Sequence, residues 1–254
     1  MKKKRGIFKM VLYELRNNNG NFMTYFFGIV FPNFMSYFLT KAISEDAPMQ
    51  LYQEIATSIM LTMSLIMPMS IMLLGYGAVY SQEVEHEIPL RMHLFGFEEK
   101  DLIFGKVIAQ VVILTVAFFV FGIFQIFVMD IQKPTMFSFF CLLLSLYLIS
   151  IMMLIISHAL SNIFRKFSLT FGVTMMFYFF MMVLTGMMGV KTEQLPKALQ
   201  AIARTLPMTY ISNDFIDFWQ GGMYNFMPLI QSFLFLGAIC GILLLFSFHK
   251  NKRT

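Results

Sequence analysis

Six separate apolar runs, each close to the ~20 residues a helix needs to cross a hydrocarbon layer, constrain this chain more than any other feature. They fall at about 22–39, 55–80, 107–129, 136–157, 168–190 and 228–248. Lipid offers the backbone no water to bond, so a spanning run must satisfy its amides internally, as a helix. Composition agrees: of 254 residues, 58% are hydrophobic and 13% charged, where a soluble domain carries about 25% charged residues. The expected fold is an all-α integral membrane protein, one domain over 1–254 with six transmembrane helices. Pro32 and Pro68 fall inside the first and second runs. A proline removes one amide donor and frees the carbonyl four residues back, so both helices are expected to kink there.

Lysine and arginine set the orientation. With the N-terminus inside, six spans return the C-terminus to the same side. The inside segments then hold Lys2, Lys3, Lys4, Arg5, Lys9, Arg16, Arg91, Lys100, Lys106, Arg165, Lys166, Lys250, Lys252 and Arg253, which is 14 of the 19 basic residues. Lys41, Lys133, Lys191, Lys197 and Arg204 make up the other 5. Basic residues accumulate in cytoplasmic loops, so the expectation is a multi-pass protein of a cell membrane, of the bacterial plasma-membrane kind, with both termini cytoplasmic. The opening Met-Lys-Lys-Lys-Arg resembles the start of a signal peptide. The first apolar run begins only at Phe22, after Asn17-Asn18-Asn19-Gly20-Asn21, and no small-residue cleavage site follows. It reads as a retained cytoplasmic start.

Three segments lie outside the spans. In 1–20, Phe8, Val11, Leu12 and Leu15 share a helical face with Lys9 and Arg16 outside it, which predicts a short amphipathic helix at the inner surface. The long outer stretch 191–227 places Leu195, Leu199, Ile202 and Leu206 on one face, with Pro196 near the start and Pro207 as a stop. Phe215, Phe218 and Trp219 follow, mixed with Asp214 and Asp217. Short outer helices are expected there, either lying at the interface or capping the bundle, with equal weight. The third segment is 81–106, on the inside.

The sequence also limits the chemistry. The spans hold almost no ionisable groups; His158, near the inner end of the fourth, reads as an interfacial or internally bonded histidine. Proton- or sodium-coupled carriers often need carboxylates or histidines at mid-membrane, so a secondary transporter is disfavoured. Gly105-Lys106 is followed by Val107 and lacks the upstream spacing of a nucleotide-binding loop. If the protein pumps, another chain must hydrolyse the nucleotide, and this chain itself is not an enzyme. No catalytic group and no metal site is expected: Cys141 and Cys240 sit in apolar runs as small buried residues. The dense polar set Glu83, Glu85, His86, Glu87 and His93 fits a charged helix end meeting a partner better than a ligand cluster. No nucleic-acid partner is expected.

Segment 81–106 has a readable build. The second span runs out into carboxylates at Glu83, Glu85 and Glu87. A short stretch, Leu90, Arg91, Met92, His93, Leu94 and Phe95, mixes apolar and basic residues, and Gly96 breaks it. Glu98, Glu99 and Asp101 open the next helix, where the dipole favours anions, and Lys106 marks the membrane entry. A short helix lying across the inner surface follows, able to insert Leu90, Met92, Leu94 and Phe95 into a partner's groove while charges set the register.

These residues carry a resemblance. An acidic Glu-x-Glu stretch, a short leucine-rich helix, a Gly turn and Gly105-Lys106 before the third span resemble the ABC-2 type permeases, the membrane subunits of a family of ATP-binding-cassette exporters. Leu206-Pro207 with Tyr210 also resembles the pattern before that family's sixth span. The resemblance implies a dimer with a second permease copy or a homologous permease, each subunit docked on a cytoplasmic ABC ATPase that binds ATP and Mg. This chain would bind no cofactor of its own. It implies that Glu83, Glu85, Glu87, Leu90, Arg91, Met92, Leu94, Phe95 and Gly96 couple the ATPase to transport, and that a pathway at the dimer interface is lined partly by the first and fifth spans.

The polar residues of those two spans bear on the last point. Thr170, Thr174, Tyr178 and Thr185 fall within an ~80° arc of the fifth, and Tyr25, Asn33 and Ser36 within a similar arc of the first. Such faces turn toward protein or water rather than lipid, as helix–helix contacts or as path lining. Methionine, at 24 residues, recurs along the fifth span at 175–176, 181–182 and 187–188; it serves as apolar filler or as an adaptable surface for amphipathic cargo. The function expected is export of an amphipathic or hydrophobic molecule, a peptide, antibiotic or lipid. The alternative is a non-transporting immunity or sensor protein that binds a membrane-active peptide.

Overall fold

A computed structural model describes residues 7–44, 48–189 and 192–251. Lys2, Lys3, Lys4, Arg5, Lys191, Lys252 and Arg253, used above for orientation, lie outside the described residues. All regular structure among the described residues is helical. Six helices are long and apolar enough to cross a membrane: Phe26–Ile43, Leu51–Glu85, Lys100–Val128, Met136–Phe164, Phe167–Leu184 and Phe226–Lys250. They are called the first to sixth spans below. The entry helix Ile7–Asn18 precedes them, the loop helix Ile88–Leu94 joins the second span to the third, and two further helices, Lys197–Ala203 and Pro207–Trp219, join the fifth to the sixth.

The second span is the axis of the subunit. It buries 83% of its most apolar window, against 22% to 39% for the other five. A helix buried on all sides needs apolar residues all round, and Leu65, Ile66, Met67, Met69, Ile71, Met72, Leu73 and Leu74 supply them, with the one hydroxyl among them, Ser70, bonded to Ile66 O. The first, third, fourth and fifth spans each bury a stripe on it, and the sixth packs on the fourth; large apolar side chains such as Phe119, Phe127 and Leu234 stay exposed, as on lipid-facing helices.

Both prolines sit beside wide turns. The first span carries a π-helical segment at Phe26–Val30, directly before Pro32, and the second carries one at Met69–Gly75, directly after Pro68. Each wide turn adds a residue to the ladder beside its proline, so that Phe31 N–H reaches Phe26 O and Tyr76 N–H reaches Ile71 O. The fifth span ends at Leu184, six residues short of the end expected at 190. Gly186 is the reason: at φ 80 it takes the left-handed conformation, with Gly186 N–H bonded to Val183 O and Met187 N–H to Met182 O. This paired stop is a standard helix ending that favours glycine.

The two ends of the bundle differ. Lys250 Nζ donates to Ile163 O at 2.8 Å, and Phe167 N–H donates to Glu85 Oε2 at 2.8 Å. The last helix therefore finishes beside the turn between the fourth and fifth spans and near the exit of the second. Entry helix and loop helix lie at this basic end. At the opposite end, Pro207 does not stop a helix but starts one, occupying a first-turn position where no amide donor is needed. Helix Pro207–Trp219 buries Met208, Ile211, Phe215, Phe218 and Trp219. Trp219 Nε1 donates to Gln132 O at 2.9 Å, and Thr135 N–H to Trp219 O at 3.2 Å. Of the two arrangements open in the sequence, this helix is a cap packed on the bundle.

Candidate functional site

The basic end is organised by one lysine. Lys106, buried at the start of the third span, places Nζ 2.8 Å from both carboxylate oxygens of Glu14 and 2.7 and 2.6 Å from those of Glu83. Glu14 comes from the entry helix and Glu83 from the exit of the second span. All three are nearly sealed from solvent, at 2%, 5% and 7% exposure for Glu14, Glu83 and Lys106. Asn17 Nδ2 donates to Glu83 Oε1 at 2.9 Å, and Gln110 Nε2 to Asn18 Oδ1 at 3.0 Å, one turn further along each helix. Buried charges are tolerated only when paired and hydrogen-bonded, and each group here has several partners. Burial pushes the Glu14 carboxyl above the usual carboxylate range, and Lys106 draws it back only in part.

The pair Gly105-Lys106 now has a physical reading. A Cβ at Gly105 would stand 2.9 Å from Met10 Cγ, so only glycine lets the entry helix lie this close. Lysine beside it then reaches both carboxylates. The entry helix buries Met10, Glu14 and Asn18 against the third span, whereas Phe8 and Leu12, from the apolar face read in the sequence, remain exposed at 79% and 41%. Polar pairing chose which face turned inward, because a buried ion pair has one geometry and lipid accepts the apolar face.

The loop helix rides over this clamp. Glu87, in the left-handed conformation at φ 54, turns the chain out of the second span. Ile88, Pro89 and Met92 face inward and line a small gap of about 20 Å³ over Glu14, Glu83 and Lys106, room for about one water. Leu90, Leu94 and Phe95 point away, at 56%, 78% and 78% exposure, with Arg91 exposed beside them. Gly96 ends the helix at φ 87, with Gly96 N–H on His93 O and Phe97 N–H on Met92 O. The residues grouped in the sequence thus divide. Glu83 is the clamp's second carboxylate; Glu85 caps the first turn of the fifth span; Met92 packs inward; Glu87, Leu90, Arg91, Leu94, Phe95 and Gly96 are exposed. Glu14, Asn17 and Gln110 were missed, since nothing local marks an entry-helix carboxylate as the partner of a lysine 92 positions away. A lone acidic residue on an otherwise basic helix was the available signal.

The polar faces of the first and fifth spans lie mostly inside the subunit. Ser36 Oγ and Gln125 of the third span exchange hydrogen bonds at 3.1 and 2.9 Å. Asn33 Nδ2 donates to Ile29 O at 2.7 Å, and Tyr25 OH to Asn19 Oδ1 at 3.0 Å. Thr174 Oγ1 donates to Thr170 O, Thr185 Oγ1 to Met181 O, and Tyr178 OH lies 3.4 Å from Ser70 Oγ of the second span. Thr170, Thr174, Tyr178 and Thr185 are all buried. His158 is bonded at both ring nitrogens: Tyr76 OH is 2.8 Å from Nδ1 and Asn162 Nδ2 is 3.0 Å from Nε2. Asn162 Nδ2 also donates to His158 O, which ties the ring to its own helix as well as to the second span. Among the described residues, no three His, Cys, Asp or Glu side chains converge as a metal site would require.

A bundle of six membrane-length helices, with its polar groups spent on holding helices together and a charged brace under an exposed loop helix, defines a multi-pass helical membrane protein. The ABC-2 type transporter family model matches residues 7–215. The chain belongs to that family, and is a membrane permease subunit of an ABC transporter, the part that lacks the ATPase motif. No curated protein matches the sequence.

Proposed function

We propose that this chain is the membrane half of an exporter driven by a separate cytoplasmic ABC ATPase, and that the loop helix is where the motor pushes. One observation carries the reading. The face Leu90, Arg91, Leu94 and Phe95 is exposed, while the opposite face rests on the Glu14–Lys106–Glu83 clamp. A force on the exposed face reaches the entry helix, the second span and the third span through one buried lysine. The second span is the subunit's axis, so displacement at its base moves most of the core. The basic end is then cytoplasmic, ATP and Mg belong to the ATPase, and two permease subunits form the working pair. The polar residues Tyr25, Asn33, Ser36, Thr170, Thr174, Tyr178 and Thr185 act in this reading as contacts that rearrange when the path opens. The cargo is amphipathic or hydrophobic.

The double substitution L94D/F95D tests it in the complex of this chain with its partner ABC ATPase. Both side chains are exposed, so folding of the permease is expected to be unchanged. Loss of ATPase co-purification, or at least a tenfold loss of transport-coupled hydrolysis, is the expected outcome. Normal complex yield with normal transport would remove the loop helix from the coupling path.

A further inference from the structure

The opposite end of the bundle contains two adjoining cavities of contrasting character. One is a polar cleft of about 590 Å³ between the outer helices, the start of the sixth span and the second span. Every lining residue except Pro228 carries a polar side-chain group. The other is an apolar groove of about 340 Å³ between the first, second and fifth spans, floored by Met35, Met63, Met182 and Met187. Ser58 lines both, so the two adjoin at this residue. Together they have a charged mouth and an oily floor.

The charge of the mouth is specific. Glu193, Asp214 and Arg204 line it, and none of them forms an ion pair with another described residue. Asp217 lies close enough to repel Asp214. Burial, Glu193 and Asp217 together push the Asp214 carboxyl above the usual carboxylate range. A carboxylate in that position gains from a cation, and among the described lining residues Arg204 is the single base against the two acids Glu193 and Asp214, with Asp217 a third close by. The walls are fixed without using these charges: Asn213 Nδ2 donates to Thr192 Oγ1, Gln200 Nε2 to Glu193 O and Tyr210 OH to Arg204 O. Glu193, Arg204 and Asp214 are exposed on the cleft, where a ligand can reach them.

We infer that the two adjoining cavities bind one amphipathic cation across Ser58, its ammonium or guanidinium head in the polar cleft against Asp214 and Glu193 and its apolar part in the methionine-floored groove. This names the cargo class of the proposed exporter and rests on that reading for its physiological role, but the binding itself needs no motor.

The test uses the full chain in phosphatidylcholine nanodiscs, with empty nanodiscs as the partition control. Three probes separate the parts of the claim: decylamine has head and tail, decanol the tail alone, butylamine the head alone. Saturable decylamine binding above the empty-disc level, at least tenfold tighter than either half probe, is expected. The D214N/E193Q pair should weaken it at least fivefold. R204Q should tighten it, a gain that misfolding cannot produce. Decylamine binding equal to empty discs, decanol binding as tightly as decylamine, or no change in D214N/E193Q would each overturn the inference. Because no ATPase is present, failure here leaves the coupling reading untouched, and failure of L94D/F95D to uncouple leaves this one untouched.

Discussion

Lys106 decides most of the basic end, so its removal is the sharpest residue-scale test. Breaking a buried pair on one side leaves uncompensated charge and costs about 3–5 kcal/mol; here two carboxylates would be stranded. Lys106→Met should therefore lower the thermal midpoint by several degrees, followed by the emission of Trp219, the chain's only tryptophan. Acid should partly restore it, by protonating Glu14 and Glu83. Adding E14Q and E83Q to Lys106→Met should recover most of the loss, because the charges then leave together; an unrecovered triple variant would show that shape rather than charge holds the site. The wild type carries a weaker pH signal. The Glu14 carboxyl is raised above its ordinary 4.5, so its contribution to stability is full below that value and fades as pH rises through the raised one. Glu14→Gln should flatten this part of the stability–pH profile, read from unfolding midpoints across that window.

At the scale of elements, the loop helix shows how little sequence a lever needs. Seven residues, Ile88–Leu94, are held by a left-handed Glu87 before and a left-handed Gly96 after. A helix this short is not stable alone, so its ends and its inward face must define it. Gly96→Val forces a β-branched residue to φ 87, at a cost of about 1–3 kcal/mol, with no neighbour within 4 Å to complicate the result. The expected outcome is a several-fold drop in ATPase coupling with the bundle's thermal midpoint nearly unchanged; equal drops in both would mean that the loop helix is part of the core. The outer helix Pro207–Trp219 is the contrasting case. It buries most of one face, and it was legible as a helix from Phe215, Phe218 and Trp219 but not as a cap, since an apolar stripe fits lipid and protein equally well.

For the whole molecule, orientation is the open quantity. The basic asymmetry predicts the loop helix inside and Arg204 outside. In a C141S/C240S background, L94C should react with a membrane-impermeant maleimide only after the cells are opened, and R204C should react in intact cells. Both natural thiols are at most partly exposed, so their removal should be tolerated. The reverse labelling pattern would invert the topology and move the motor contact to the other side.

The sequence by itself determined the class, the number of spans and the place of the loop helix. Length and apolarity act locally, residue by residue along a helix, and glycine or proline marks its ends, as Gly96 does. Even the overrun of the fifth span was written in Gly186. What only the tertiary structure decided is which polar groups meet. Glu14 and Lys106 are joined because Gly105 lets the entry helix approach, and the second span becomes the axis because the first, third, fourth and fifth spans and the helix Pro207–Trp219 bury it. The outer cleft exists because a helix read as amphipathic folds back as a cap. Those outcomes depend on pairing between distant segments, where one carboxylate looks like another until a lysine is placed beside it.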